Sequence, residues 1–168
     1  MKSIERKTIL RETWFFLVAG IVIGLDQLSK YLVRSNMALG QSIPEHGFFR
    51  FTYHTNTGGV FGLFANQTFL ITVAAIIAVV VIILYSRHKM AQSMLVKVSL
   101  GMILGGSIGN LIDRVRLEAV TDFIDVGAWP IFNLADSAID IGVVLLIIYI
   151  LFKIKKDSKE AKRVESDD

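Results

Sequence analysis

Two carboxylates beside long apolar segments are the residues of this 168-residue chain most suited to chemistry. Asp122 lies in the segment 120–124, and Asp136 lies in 133–138, which runs directly into an apolar stretch ending near Phe152. An ionisable side chain beside or within a membrane-spanning segment carries a free-energy penalty, so its presence indicates a functional site. Two carboxylates held close together cannot both ionise cheaply, so one keeps a proton while the other stays charged. Such a pair supplies a general acid and a general base to one substrate.

Four apolar segments position these residues. Hydrophobic residues make up 53% of the chain, against a soluble norm of about 45–50%, and they concentrate at 14–33, 68–85, 96–112 and 134–152. A membrane-spanning helix needs about 20 residues. The uninterrupted apolar part of the third segment is only 98–112, which is short unless Leu95, Val96 and Lys97 are counted, with the lysine snorkelling to the membrane surface. We therefore predict an all-α membrane protein with four transmembrane helices in a single domain, residues 1–168, of which 153–168 form a charged cytoplasmic tail.

The distribution of charge predicts the orientation of the chain. Most Lys and Arg residues fall in the amino-terminal tail, between the second and third spans, and in the carboxy-terminal tail, whereas the two remaining connections hold only Arg34, Arg50, Arg114 and Arg116. By the positive-inside rule, both termini are cytoplasmic and those two connections lie outside. Acidic residues interleave with the basic tail, which argues against nucleic acid as a partner.

Several kinds of chemistry lack the residues they need. The chain has no cysteine, so disulfides, thiol nucleophiles and thiolate metal sites are excluded. It contains no HExxH, GxSxG or GKS/T sequence, so zinc protease, serine hydrolase and phosphate-loop chemistry have no support. We expect no metal and no cofactor, because a pair of aspartates needs neither to activate water.

The unusual polar residues all fall at the outer end of the predicted bundle. They are Asp26, Lys30, Asn56, Asn110, Asp113, Asp122, Asn133 and Asp136, while Asp140 alone lies deeper, by one turn or about 6 Å. Structural explanations stay open for some of them. Asp26 and Lys30 are spaced as a helical ion pair, and Asn133 with Asp136 resembles a capping box.

The remaining segments carry weaker signals. Aromatic residues alternate imperfectly with polar ones at 48–54, which predicts a strand or hairpin in the first outer connection. Gly101, Gly105 and Gly109 form a stripe on the third span that allows a neighbouring backbone to approach closely. The glycine-rich segment 56–64 suits either contact with an extended peptide or a plain turn.

The sequence resembles the lipoprotein signal peptidases, also called signal peptidase II, along most of its length. The motifs that carry the resemblance are Asp26-Gln27-x-Ser29-Lys30, Asn56-x-Gly58-x-x-Phe61, Gly105-Gly106-x-x-Gly109-Asn110-x-x-Asp113-Arg114, Val120-x-Asp122-Phe123 and Phe132-Asn133-x-Ala135-Asp136-Ser137. Gly59 and Val60 stand where the family usually has alanines, and Asp140 stands where a neutral residue is expected.

The resemblance implies a function and a set of site residues. The enzyme would remove the signal peptide from diacylglyceryl-modified bacterial prolipoproteins, cutting just before the lipidated cysteine, with Asp122 and Asp136 as the catalytic pair. Substrate-binding or supporting residues would be Asp26, Lys30, Asn56, Gly58, Asn110, Asp113, Arg114 and Asn133. A small extracytoplasmic β-platform would cover the site. We expect a monomer in the bacterial cell membrane that meets membrane lipids and lipid-modified precursors, with its active site at the outer face.

Other pairings of aspartates are less suitable. Asp136 and Asp140 share one helix face and cannot easily close on one water from two sides. Asp113 is followed by Arg114, a cation that would keep it ionised, and Asp125 faces away from Asp122 in an extended segment. Between the two that remain, the helix amino terminus favours the ionised form of Asp136, which gives it the role of base and Asp122 the role of acid.

A second hypothesis comes from another class of protein. A non-enzymatic four-helix transporter or assembly factor would use the same polar layer to bind an ion or a proton, with Asp136 and Asp140 as ligands. A site that binds an ion or a proton inside the bundle would not require Asp122.

Overall fold

Within residues 2–57 and 68–167, which the computed structural model describes, four long helices form the fold, as predicted. The helices are α1 (Lys2–Asn36), α2 (Thr68–Ser86), α3 (Met94–Leu117) and α4 (Leu134–Asp167). Each contains a segment long and apolar enough to cross a membrane. The helices extend past the predicted spans, and α4 continues through the charged tail as far as Asp167.

A small antiparallel sheet lies between the ends of these helices. Strands β1 (Ser42–Ile43) and β2 (Arg50–Asn56) follow α1, and β3 (Val120–Asp125) follows α3. Their order in the sheet is β1-β2-β3. The strand or hairpin predicted at 48–54 corresponds to β2, whereas β3 lies in the connection between the third and fourth spans, where no strand is predicted. Its residues pair with β2 across a long sequence separation, so Asp122 stands on a strand that a neighbouring strand holds in place.

Helix α3 lies at the centre of the bundle, and its glycine stripe makes that position possible. A Cβ on Gly101 would lie 2.7 Å from the carbonyl oxygen of Phe15, and one on Gly105 would lie 2.7 Å from that of Ala19. Such distances show that α1 packs directly on the α3 backbone, as small residues at a helix interface allow. The predicted close approach is confirmed, and it brings the carboxy-terminal ends of α1 and α3 together.

The prediction for Lys97, near the amino-terminal end of α3, was wrong. Its side chain does not snorkel to the membrane surface but is fully buried. The ammonium group pairs with the carboxylate of Glu12 and donates to the carbonyl oxygen of Ser86, and it lies 5.8 Å from the ring centroid of Phe15. Because α3 begins at Met94, Lys97 is already inside the helix when it meets α1 and α2. The buried charge therefore ties three helices together.

Candidate active site

Asp122 is held by two asparagines from different parts of the chain. It lies on β3 with 1% of its surface exposed. The side-chain amide of Asn133 donates to its Oδ1 over 2.6 Å, and that of Asn56 donates to its Oδ2 over 3.0 Å. Both carboxylate oxygens are therefore fixed, which orients the group with little freedom to rotate.

Asp136 lies in the first turn of α4 and completes the predicted capping box. The backbone amide of Asn133 donates to its Oδ2 over 3.3 Å, and its own backbone amide donates to Oδ1 of Asn133 over 3.0 Å. This reciprocal pair satisfies helix-terminal amides. The capping role leaves Oδ1 of Asp136 to accept a 2.7 Å hydrogen bond from Asn110. Asp136 thus caps its helix and still presents a carboxylate oxygen toward the site.

Asn110 joins the two aspartates through a short chain of amides. Its Oδ1 accepts hydrogen bonds from Nζ of Lys30 over 2.9 Å and from Nδ2 of Asn133 over 3.1 Å. Asp122, Asn133, Asn110 and Asp136 therefore form one continuous hydrogen-bonded path between β3, α3 and α4. Because each amide has a defined partner, the path fixes the position of one carboxylate relative to the other.

Asp26 and Lys30 support this path from α1. Their ion pair is 2.9 Å long, and both side chains are fully buried. Oδ1 of Asp26 also accepts a 3.0 Å hydrogen bond from the backbone amide of Ala135, which lies at the start of α4. The predicted helical ion pair is confirmed, and it locks α1 to the turn that carries Asp136.

Asp113 is buried near the carboxy-terminal end of α3, and its cationic partners are not the predicted Arg114. Oδ2 of Asp113 lies 3.5 Å from Arg34 and 3.7 Å from Lys30, and it accepts a 2.9 Å bond from the backbone amide of Thr121. The adjacent Arg114 lines the cavity described below instead, because consecutive residues of a helix point in different directions. Asp113 therefore anchors the start of β3.

A cavity of about 620 Å³ opens between α3, β3, α4 and the segment that joins β3 to α4. Both Asp122 and Asp136 line it, together with Asn56, Asn110, Arg114, Val120, Val126, Trp129, Pro130, Ile131, Phe132, Ile139 and Asp140. Two carboxylates from separate elements thus face one largely apolar space. Asn133, Lys30, Asp26 and Asp113 stand behind this wall and are not part of its lining. The predicted site residue Gly58 lies outside the described residues.

The two strand aspartates differ in their electrostatic surroundings. Burial and, to a smaller extent, the neighbouring charge of Asp136 together raise the pKa of Asp122 to about 7, against the opposing hydrogen bonds from Asn56 and Asn133. The pKa of Asp125 is instead lowered, first by the backbone amide of Gly127 and also by Thr52 and Arg50. A substantial fraction of Asp122 is therefore protonated near neutral pH, whereas Asp125 stays charged in its ion pair.

Asp125 faces away from the cavity, as predicted. Arg50 donates to its Oδ2 over 2.6 Å from one terminal nitrogen and 3.0 Å from Nε, and Thr52 donates over 2.8 Å. The amide of Gly127 donates to Oδ1 over 2.8 Å. These bonds attach the chain after β3 to β2, just before Trp129 and Pro130 enter the cavity wall.

Three supporting residues were missed in the sequence. Gln27 donates to Asp26 and Asp113 over 3.2 Å in each case, and Arg34 donates to the hydroxyl of Thr121 over 2.9 Å. Gln27 sits beside Asp26 in one motif and Arg34 follows Lys30 by one helical turn, so both had a local signal. Thr121 had none, because its role depends on where β3 lies. Among residues 2–57 and 68–167, no group of three or more His, Asp and Glu side chains is placed to hold a metal ion.

Comparison with known proteins gives a consistent result. Residues 18–152 match the sequence model of a family described as signal peptidase (SPase) II. The chain belongs to the signal peptidase II family. The lipoprotein signal peptidase of Moorella thermoacetica is 41% identical over 147 residues, covering 87% of this chain and 98% of that protein. That of Shouchella clausii is 42% identical over 149 residues, covering 88% and 99%.

Solved structures agree with the family assignment. A solved structure described as a bacterial membrane enzyme aligns with this chain with a TM-score of 0.78 at 32% sequence identity. The alignment covers 84% of this chain and 90% of the chain in that structure. A second has a TM-score of 0.75 at the same identity, with coverage of 82% and 92%. This member of the signal peptidase II family is therefore a multi-pass peptidase of the bacterial cell membrane. These findings favour the peptidase hypothesis over a transporter or assembly factor.

Proposed function

We propose that the chain is an aspartyl endopeptidase that removes the signal peptide from diacylglyceryl-modified bacterial prolipoproteins, cutting before the lipidated cysteine. The main support is the placement of Asp122 and Asp136. They come from a strand and a helix, line the same cavity, and are joined through Asn133 and Asn110. Two carboxylates that approach one space from separate elements can act on opposite sides of one water molecule.

The proposed reaction uses one aspartate in each protonation state. Asp136, at the amino terminus of α4 where negative charge is favoured, takes a proton from water as the water oxygen bonds to the scissile carbonyl carbon. Asp122, protonated near neutral pH, gives its proton to the carbonyl oxygen, and a gem-diol forms. Asp136 then passes its proton to the cysteine nitrogen as the C–N bond breaks. Asp122 recovers a proton from the gem-diol, which leaves a carboxyl group on the signal peptide.

The neighbouring residues have supporting roles in this proposal. Asn56, Asn110 and Asn133 hold the carboxylate oxygens, and Arg114 offers a cation to the substrate from the cavity wall. Asp26, Lys30 and Asp113 fix the elements that carry the pair. One chain supplies both aspartates and all three asparagines, which supports a monomeric enzyme.

The position of the site favours a substrate that stays in the membrane. The cavity lies where the helices meet the sheet, and we propose that this end faces outward with both termini in the cytoplasm. An external-only reporter should be active when fused after Ala128 and inactive after Lys156; the reverse pattern would refute this orientation. The acyl chains of the substrate can then remain in the bilayer while its peptide enters the cavity. Burial of acyl carbons contributes about 0.8 kcal/mol per CH₂, so the lipid holds the substrate in place.

The direct test uses purified full-length protein and a diacylglyceryl-modified precursor. Mass spectrometry should detect a released signal peptide that ends just before the cysteine. The same precursor without the lipid is the matched control and should be cleaved much more slowly. Equal turnover of the two precursors would refute the lipid requirement, and an intact lipidated precursor would refute the proposed function.

A further inference from the structure

Asp140 is a cavity residue that the proposed mechanism does not use. It lies on α4 one turn below Asp136, and its carboxylate lines the cavity with an exposed side chain. Within the part of the chain that the structure describes, it has no hydrogen-bond or ion-pair partner. Asp122 and Asp136, by contrast, each accept hydrogen bonds through both carboxylate oxygens. The protein therefore leaves one carboxylate on this wall available to a ligand.

The surroundings of Asp140 make a carboxylate without a hydrogen-bond or ion-pair partner unfavourable in free energy. It belongs to the membrane-spanning part of α4, and Ile131 and Ile139 line the same cavity. An ionisable group within a span carries a penalty unless it faces the bundle interior or a water-filled space and serves a function there. A hydrogen-bond donor on the substrate would offset that penalty, because a bond to a charged acceptor is among the stronger ones.

The proposed orientation indicates which part of the substrate reaches Asp140. A signal peptide keeps its basic amino terminus on the cytoplasmic side, so the residues before the cut lie deeper in the membrane than the scissile bond. Asp140 is about 6 Å deeper than Asp136 along the helix. An extended peptide advances about 3.3 Å per residue, so Asp140 lies roughly two residues toward the signal peptide from the reacting carbonyl.

We propose that Asp140 is a specificity-determining residue that accepts a hydrogen bond from a hydroxyl side chain in the three residues before the cut. The proposal rests on the proposed function, since it assumes cleavage at Asp122 and Asp136. A serine at the matching position satisfies the carboxylate. An alanine there leaves Asp140 without its donor, and the substrate loses that contribution to binding.

The test compares four precursors that share one diacylglyceryl-modified cysteine. The parent has alanine at all three positions before the cysteine, and each of the others has serine at one of them. Full-length wild type, Asp140→Val and the control Asp157→Val are compared by kcat/KM. Asp157 is an exposed carboxylate on the same helix that does not line the cavity, so the control removes an equal charge elsewhere.

At one position we expect serine to raise kcat/KM by about tenfold over alanine in wild type and in Asp157→Val, the effect of one charge-assisted hydrogen bond. Asp140→Val should lose this preference while still cleaving the alanine parent. The proposal is overturned if the serine-to-alanine ratio is the same in wild type and Asp140→Val at all three positions, including the case of no preference in either.

A second variant covers the case in which Asp140→Val does not fold. Asp140→Asn keeps a polar side chain of the same size, and its uncharged oxygen is a weaker acceptor. Its serine-to-alanine ratio should fall below that of wild type, and an unchanged ratio would overturn the proposal. Failure of the proposed function looks different: wild type would then cleave none of the four precursors, and the inference would fall with it.

Discussion

Asn133 donates its side-chain amide to Asp122 over 2.6 Å and forms a reciprocal capping box with Asp136 through its backbone and side-chain oxygen. A single residue therefore contacts both carboxylates. Because the box also defines the start of α4, the geometry of the pair depends directly on the way this helix begins. Asn133 is the structural link between the fold and the proposed chemistry.

Replacing Asn133 separates these two contributions. Asn133→Ala removes the cap and the bond to Asp122, so we expect a stability loss of about 0.5–2 kcal/mol and an activity loss of about 10- to 100-fold. Asn133→Ser is the matched variant, since serine also caps helices well but is too short to reach Asp122 in the same way. It should recover the stability measured by thermal unfolding without recovering cleavage. Wild-type activity in Asn133→Ala would rule out the proposed role.

The pH profile of cleavage reports the proton on Asp122. Its pKa is raised to about 7 by burial and by the charge of Asp136, and the acid role requires the protonated form. We therefore expect kcat/KM to fall as pH rises through about 7. The matched comparison is Asp125→Asn, which changes a carboxylate of the same strand outside the cavity and should leave this limb in place. A rate that rises steadily across this range would contradict the acid role.

The same raised pKa has a consequence for stability. Between the unfolded value of about 3.9 and the folded value of about 7, the folded protein binds the extra proton. Stability therefore declines as pH rises across that interval. Asp122→Asn carries no ionisable group and should flatten this part of the thermal unfolding profile.

Asp125 behaves in the opposite way, because its pKa is lowered by the Gly127 amide and by Thr52 and Arg50. Its contribution to stability is present above the unfolded pKa of about 3.9 and is lost as pH falls through the lower folded value. Asp125→Asn should keep most of the activity at neutral pH and unfold at a lower temperature. The gap in unfolding temperature between wild type and variant should narrow under acidic conditions. A gap that widens in acid would show that the ion pair does not stabilise the platform.

Local features of the sequence were sufficient to predict the helices and much of the polar layer. Apolar length identifies the four spans, four-residue spacing identifies the Asp26–Lys30 pair, and the Asn133-x-x-Asp136 spacing identifies the capping box. The Gly101–Gly105 stripe likewise required only periodicity. Each of these depends on residues within one or two helical turns.

Contacts between distant segments could not be predicted in the same way. The pairing of β2 with β3 joins residues far apart in the sequence, and it holds the strand whose Thr121 contacts both Asp113 and Arg34. The prediction that Lys97 reaches the membrane surface was wrong for the same reason, because its burial depends on contacts with Glu12 and with Ser86 at the end of α2. Single-sequence patterns specify which residues are polar and roughly how deep they lie, but not which of them meet.

The most direct test of the central claim is cleavage of a diacylglyceryl-modified precursor by Asp122→Asn and Asp136→Asn, measured by mass spectrometry. Asparagine preserves the size of each side chain but can neither hold nor accept the catalytic proton. We predict that both variants remain folded in the membrane and release no signal peptide, while Asp125→Asn and Asp140→Asn still cleave the precursor. Substantial turnover by Asp122→Asn or Asp136→Asn would contradict the assignment of the catalytic pair.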